Sequence, residues 1–199
     1  MCSYFLLNRE MERALTYVNQ LHSLLPDHVT VQTHRAELLS SLDRHDESIL
    51  EWTAILEYTP SFSAHYGRGL SYFKKKEFRR AYAEFLAAHV YQEEAKSWNA
   101  IGKCLKEFGD DLAAAEAQIK ALVIDPNHRE AALDAAVAYM SQSLPNEATV
   151  YLEKALAIDP DFANIYGWRA MMYDNMGESH KVLEDIHKVL SLQPTQYSS

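Results

Sequence analysis

The sequence predicts an all-α protein built from stacked helix pairs, and three observations lead to that fold class. Prolines recur at a constant interval, glycines fall where turns are expected, and the segments between carry apolar residues at helical i, i+3, i+4, i+7 spacing. The chain has 199 residues, of which 48% are hydrophobic. A chain of this length and composition buries a core and is not a disordered acidic tail.

Five of the six prolines mark one position of a repeat. The step from Pro26 to Pro60 is the same as the steps from Pro126 to Pro160 and from Pro160 to Pro194. The segment from Pro60 to Pro126 falls two residues short of two such steps, which predicts one repeat that is shorter than its neighbours.

The other helix breakers fit the same repeat. Pro145 is expected to begin a second helix, because a first-turn N–H has no intrahelical partner to lose. Gly109 and Gly177 are separated by twice the proline interval and are predicted in turns that need a positive φ. Gly67 and Gly167 are separated by three repeats, one of them the short one, and are expected at one shared position with room for a ligand backbone.

Each repeat is expected to form two antiparallel helices. The predicted units are a partial repeat at 1–28 and full repeats at 29–62, 63–94, 95–128, 129–162 and 163–196. The first helix of the partial repeat is expected to lack its N-terminal half. The short repeat is expected to have a shortened turn from Lys74 to Glu77 and a local change of superhelical twist. Apolar residues mark the helices of the last three repeats in order: Trp98, Ile101 and Leu105, then Ala114, Ala121 and Leu122; Ala132, Ala135, Ala136 and Tyr139, then Ala148, Leu152, Ala155 and Leu156; Tyr166, Ala170 and Tyr173, then Val182, Ile186, Val189 and Leu190.

Two local patterns carry a family resemblance. Trp98-x2-Ile101-Gly102 and the ending Ile158-Asp159-Pro160 resemble the tetratricopeptide repeat pattern, in which Trp, Leu-Gly, Tyr, Ala, Phe, Ala and Pro recur over about 34 residues. The resemblance implies a right-handed superhelix of about five and a half repeats, forming a single domain over 1–199. It also implies a protein-interaction adaptor or scaffold that holds a partner segment in a concave groove.

Several other classes of protein are disfavoured. The chain has no GxxxxGK[ST], GxGxxG, HExxH or CxxC motif, so we expect neither an enzyme nor a cofactor. His180 and His187 are too few ligands for a metal site, and Cys104 is expected in the core. No apolar run is long enough for a signal peptide or a membrane span, so a cytoplasmic location is expected. The net charge of −9 disfavours nucleic acid as the partner.

The charges are distributed unevenly. Residues 68–106 hold nine Lys or Arg against four Glu, a net +5, whereas the rest of the chain carries −14. In tetratricopeptide repeats the first helix of each pair lines the groove, so the resemblance implies a basic wall that suits acidic groups on a protein or peptide partner. The predicted basic and polar contacts are Arg68, Lys74, Lys75, Lys96, Asn99, Lys103 and Lys106. The predicted apolar floor is Leu133, Val137, Met140, Gly167 and Met171.

Alternatives remain open at this point. A lysine run between helices is also typical of a solvated turn, and the apolar floor residues are also suited to a core. The two-carboxylate clamp of the family's co-chaperones is incomplete, because Lys96 fits it whereas Ala100 and Arg68 do not. Tyr72 and Phe73 beside the lysines would suit a nucleic-acid groove, but both match packing positions. Uncapped ends would suit self-association or a fragment of a longer chain, such as the targeting module of an enzyme or co-chaperone.

Overall fold

The computed structural model describes residues 2–192 of the chain, with side chains from residue 9 onward. These residues form eleven α-helices and no strand. The helices are α1 (Cys2–Leu24), α2 (Val29–Ser41), α3 (His45–Tyr58), α4 (Phe62–Lys74), α5 (Phe78–Tyr91), α6 (Ala95–Glu107), α7 (Asp111–Ile124), α8 (Arg129–Ser141), α9 (Pro145–Ile158), α10 (Ala163–Asn175) and α11 (Ser179–Leu192). The end of the last predicted repeat at Pro194 and the uncapped C-terminal segment expected there lie outside the described residues.

The chain divides into two compact units, Met1–Glu93 and Glu94–Ser199. In the first, α1 packs on α2, followed by the antiparallel pairs α2/α3 and α4/α5. The second contains the pairs α6/α7, α8/α9 and α10/α11, and each pair packs on the next. The prediction of an all-α solenoid of stacked pairs is therefore confirmed. The single domain and the repeat boundaries stay predictions. None of the described helices is both long and apolar enough to cross a bilayer.

The helix pairs share one internal register. The first helices begin at 29, 62, 95, 129 and 163, and their second helices begin at 45, 78, 111, 145 and 179, a constant offset within every pair. The expected shortened turn from Lys74 to Glu77 is therefore wrong, because that turn has the same length as the others. The connections between repeats are shorter instead: 59–61 and 92–94 have three residues, whereas 125–128 and 159–162 have four.

The first helix also departs from the expectation. A half helix, a turn and a second helix were expected over residues 1–28, but residues 2–24 form one continuous helix of 23 residues. The start of α9 at Pro145 is as predicted, since the proline occupies the first turn. Side chains cap other helix starts, as where Asp110 accepts a hydrogen bond of 3.1 Å from the Ala113 N–H.

Every turn within a pair has a left-handed residue at its middle position. Gly109 and Gly177 have φ of 80° and 77°, which confirms their predicted role. Asp43, Lys76 and Ser143 occupy the same position with φ of 59°, 62° and 58°. Left-handed backbone costs an L-residue about 1–2 kcal/mol, so these three turns are strained. Lys76 is thus a turn residue, as the solvated-turn interpretation expected.

Replacing Ser143 with glycine should raise the free energy of unfolding by about 0.5–1 kcal/mol, because glycine adopts the left-handed region without a Cβ clash. Gln142→Gly is the matched control, since Gln142 has φ of −94° and gains nothing from glycine. Urea unfolding followed by circular dichroism measures both. Equal effects of the two substitutions would contradict the strain assigned to Ser143.

Small residues of the first helices face large residues of the second helices. A Cβ added at Gly69 would lie 2.7 Å from the Phe85 ring, and one at Gly102 would lie 2.5 Å from Gln118 Nε2. Each glycine is the eighth residue of its helix. Phe85 and Gln118, which the glycines face, are likewise the eighth residues of their helices. The same eighth positions hold Ala36 and Trp52, Ala136 and Leu152, and Ala170 and Ile186. Close approach at these positions brings the two helices of a pair together.

Gly67 and Gly167 do not share a position. Gly67 is the sixth residue of α4, whereas Gly167 is the fifth residue of α10. A Cβ at Gly67 would lie 2.4 Å from the Trp52 ring, so this glycine gives room to a core side chain and not to a ligand. A Cβ added at Gly167 would have no atom within 4 Å, so Gly167 faces open space.

Candidate functional site

In the second unit, α6, α8 and α10 are the first helices of their pairs, and each presents the same face. The fifth, ninth and twelfth residues of each helix recur at i, i+4 and i+7, so they lie on one side of it. We call these nine residues the first-helix face: Asn99, Lys103 and Lys106 on α6; Leu133, Val137 and Met140 on α8; Gly167, Met171 and Asp174 on α10. All except Asp174 were predicted as partner-binding residues.

A polar network fixes the α6 end of this face. Asn99 is buried, and its Nδ2 donates to Gln118 Oε1 at 2.8 Å and to Asp134 Oδ2 at 3.2 Å. Gln118 Nε2 donates back to the Asn99 carbonyl at 3.2 Å. The absent side chain of Gly102 leaves the space that Gln118 occupies. Asn99 therefore holds α6 against α7 and α8, and little of it is offered to a partner.

The lysines of α6 lie further out. Lys103 Nζ is 3.6 Å from Asp134 Oδ2, and its side chain is 40% exposed. Lys96 Nζ is 2.9 Å from Glu94 Oε2 and is about half exposed. Lys106 is exposed and makes no ion pair with the described part of the chain. Exposed ion pairs contribute about 0–1 kcal/mol, so Lys96 and Lys103 can exchange their carboxylates for those of a partner.

The apolar residues of α8 lie between core and surface. Leu133 and Met140 are partly buried and pack against the buried cluster of the second unit, and Val137 is partly buried as well. On α10, Met171 is half exposed. The groove interpretation and the core interpretation are thus each partly right for these side chains. Such a side chain has one edge toward the core and the other on the first-helix face.

Beyond Met171 the face opens into a cleft of about 590 Å³. We call it the end cleft. It is lined by Gly167, Ala170, Met171 and Asp174 of α10 and by Val182, Ile186, Val189 and Leu190 of α11. Asp174 is the one charged residue of this lining, so the cleft is largely apolar.

The remaining predicted contacts belong to the first unit. Lys74 is exposed at the end of α4. Lys75 pairs with Asp46 and with Glu77, and its hydrogen bond to Asp46 is the main cause of its raised pKa. Arg68 is mostly buried and donates to Glu84 at 2.7 Å and to Thr53 at 3.1 Å. The predicted set is therefore divided between the two units.

The ion pair of Arg68 belongs to a series that the sequence reasoning missed. Arg68 pairs with Glu84, and the same two helix positions hold Arg35 with Glu51 and Arg169 with Asp185. In each case the arginine is the seventh residue of the first helix and the acid is the seventh residue of the second. That recurring spacing was the sequence signal for these pairs. Asp134 was also missed, and no pattern in the sequence marks it.

Other chemically active side chains have ordinary surroundings. Cys104 is buried, and burial, followed by the nearby Glu107, raises its pKa to about 12. Its thiol therefore stays protonated at neutral pH and is a poor nucleophile. His180 and His187 are exposed, and the part of the chain with assigned side chains contains no group of three or more metal-ligating residues.

A comparison with protein-family models identifies the repeats of the chain. Models described as tetratricopeptide repeat match residues 95–128, 130–162 and 151–184. The chain therefore contains repeats of the tetratricopeptide repeat family. The matched residues lie in the second unit, which carries the first-helix face. No curated protein matches the sequence significantly.

Solved structures of other tetratricopeptide-repeat proteins share the fold. YrrB, described as a TPR protein with an unusual peptide-binding site, has a TM-score of 0.70 at 20% identity, covering 89% of this chain and 93% of YrrB. A MamA structure has a TM-score of 0.75 at 17% identity, covering 86% and 96%. The C-terminal part of a TPR repeat-containing protein from Cytophaga hutchinsonii has a TM-score of 0.77 at 16% identity, covering 96% and 78%.

Proposed function

We propose that this tetratricopeptide-repeat protein is an adaptor or scaffold that holds a segment of a partner protein across the first-helix face. The observation that carries the proposal is the change of character along that face. It is basic at Lys103 and Lys106, apolar at Leu133, Val137 and Met140, and ends at the half-exposed Met171. Acidic groups of the segment meet the lysines, and apolar side chains rest on α8 and Met171.

The size of the ligand follows from the helix spacing. Packed helices lie about 8–10 Å apart, and each first helix packs mainly on the second helix of the preceding pair, so three successive first helices span at least roughly 20 Å. An extended chain advances about 3.3 Å per residue, so at least about six residues cross the face. The lysines contribute mainly to the association rate and to the register of the segment, whereas the apolar contacts hold the complex.

YrrB supports a peptide as the type of ligand, because it is a TPR protein described as having a peptide-binding site and it has a similar fold. The same proposal includes a protein as the partner, the absence of catalysis by this chain and a cytoplasmic location.

Charge reversal at both lysines should weaken binding of an acidic peptide by at least about ten-fold, equivalent to about 1.4 kcal/mol, and should abolish the salt dependence of that binding. The probes are two fluorescent peptides of about eight residues, long enough to cross the face. Both peptides end in the same apolar segment of leucines and a phenylalanine. One peptide begins with three acidic residues, and the other begins with three basic residues. Fluorescence anisotropy at low and high salt measures wild type and the Lys103→Glu, Lys106→Glu variant.

The matched control is Lys120→Glu, Lys154→Glu. It changes the net charge by the same amount with exposed lysines on the second helices of the same unit. It should leave binding of the acidic peptide within about two-fold of wild type. An equal loss in both variants would mean that only the overall charge matters. No binding of the acidic peptide by wild type would remove the proposed site.

A further inference from the structure

The end cleft corresponds to a buried surface of the preceding repeat. Its α11 residues Val182, Ile186, Val189 and Leu190 occupy the same helix positions as Ala148, Leu152, Ala155 and Leu156 of α9. The four α9 residues are all buried, with Leu152 fully inaccessible, whereas Ile186 and Leu190 are each 42% exposed. The difference arises because α10 packs on α9, while no described helix packs in that way on α11.

The preceding repeat also shows what kind of element fills such a groove. In that repeat the groove is occupied by α10, whose buried Ile165 and Met172 join the cluster formed with Leu152 and Leu156. Ile165 and Met172 are separated by two turns of one helix face, and the partly buried Trp168 lies between them. A groove of this type therefore accepts an amphipathic helix with apolar residues at i, i+3 or i+4, and i+7.

One helix of the chain presents such a stripe to solvent. On α1, Tyr17, Leu21 and Leu24 recur at i, i+4 and i+7, with exposures of 68%, 47% and 76%. Another face of the same helix is used within the chain, since Leu15 is buried. We call Tyr17, Leu21 and Leu24 the α1 stripe. Exposed apolar residues clustered on one side of a helix are typical of a contact surface.

We propose that the end cleft of one molecule binds the α1 stripe of a second copy of this chain. The occupant is chosen because the α1 stripe has the two-turn spacing of Ile165 and Met172, which fill the equivalent groove within the chain. The contact joins two different surfaces, so it is heterologous, and each bound pair still has one free cleft and one free stripe. The protein therefore assembles head to tail. Because Gly167, Met171 and Asp174 line the end cleft and also form the α10 end of the first-helix face, a second copy bound in the cleft covers that end of the face.

Sedimentation velocity over a range of concentrations tests the assembly. Wild type should form species larger than a monomer as its concentration rises. Ile186→Glu blocks the cleft and Leu21→Glu blocks the stripe, and each variant alone should associate at least about ten-fold more weakly, because a carboxylate is placed in an apolar contact. An equimolar mixture of the two variants should form dimers and nothing larger, since it contains one intact cleft and one intact stripe.

Matched substitutions beside the two surfaces separate the contact from loss of folding. Leu183→Glu changes an exposed leucine of α11 outside the cleft, and Gln20→Glu changes an exposed residue next to the α1 stripe. Both should assemble like wild type. Lys103→Glu, Lys106→Glu should also assemble normally, so a failed peptide-binding test leaves this result unaffected.

Three outcomes would overturn the head-to-tail contact. The first is a wild-type monomer at every concentration. The second is an unchanged assembly in both blocked variants. The third is a mixture of the blocked variants that remains monomeric while circular dichroism shows both to be folded.

Discussion

Replacing Arg169 with alanine should destabilise the last helix pair by about 3–5 kcal/mol. Arg169 Nε and Nη2 donate to the two carboxylate oxygens of Asp185 at 2.9 and 2.7 Å. Asp185 is only 3% exposed, so the variant leaves a buried carboxylate without its partner. Hydrogen-exchange mass spectrometry on peptides from α10 and α11 measures the effect locally, which suits a repeat protein whose pairs open separately.

The chain itself supplies the rescuing substitution. The same two positions hold Ile101 and Ala117 in the α6/α7 pair, which folds without this ion pair. The double variant Arg169→Ile, Asp185→Ala should therefore recover most of the lost stability, since apolar groups often replace a buried ion pair at little cost.

An exposed ion pair is the control. Arg80 pairs with Glu77 across one helix turn, and its side chain is 68% exposed, so Arg80→Ala should cost less than about 1 kcal/mol. A similar loss for Arg80→Ala and Arg169→Ala, or no recovery in the double variant, would contradict the importance of the buried pairing.

The sequence predicts most of the fold because its strongest signals are local. A proline ends or begins a helix by its own geometry, and a glycine relieves a left-handed turn wherever the turn lies. Pro145, Gly109 and Gly177 were therefore placed correctly from the sequence alone. Asp43, Lys76 and Ser143 were missed because they adopt the same turn without glycine, held there by the packing of the two helices.

The candidate site depends on contacts that distant residues create. Asn99 was predicted from its helix phase, but its burial depends on Gln118, which fits only because Gly102 lacks a side chain. Arg68 was assigned to a groove because of its charge, whereas its partner Glu84 lies on the next helix. The contribution of a single charged residue to a surface is thus decided by a neighbour that periodicity alone does not identify.

Register errors have a similar origin. The arithmetic of prolines placed both missing residues in one turn, but each of the connections 59–61 and 92–94 is one residue shorter than those in the second unit. The resulting one-residue error gave Gly67 and Gly167 the same role. One residue on a helix is a rotation of about 100°, enough to move a side chain from an open face into the core.

The two glycines should therefore respond to alanine with opposite signs. Gly67→Ala should lower the free energy of unfolding by about 2 kcal/mol, because its Cβ would lie 2.4 Å from two atoms of the Trp52 ring. Trp52 is buried and cannot move aside without disturbing its own neighbours. Gly167→Ala should raise the stability by about 1 kcal/mol, because alanine is the better helix former and nothing lies within 4 Å of the new Cβ.

A double-mutant cycle shows whether the Trp52 ring is the cause. In a Trp52→Leu background the smaller side chain leaves room for a Cβ, so Gly67→Ala should cost much less than it does in wild type. Urea unfolding of the four proteins measures the coupling. If the cost of Gly67→Ala is the same with tryptophan and with leucine at position 52, the clash is not responsible, and Gly67 would again be a candidate for a role outside the core.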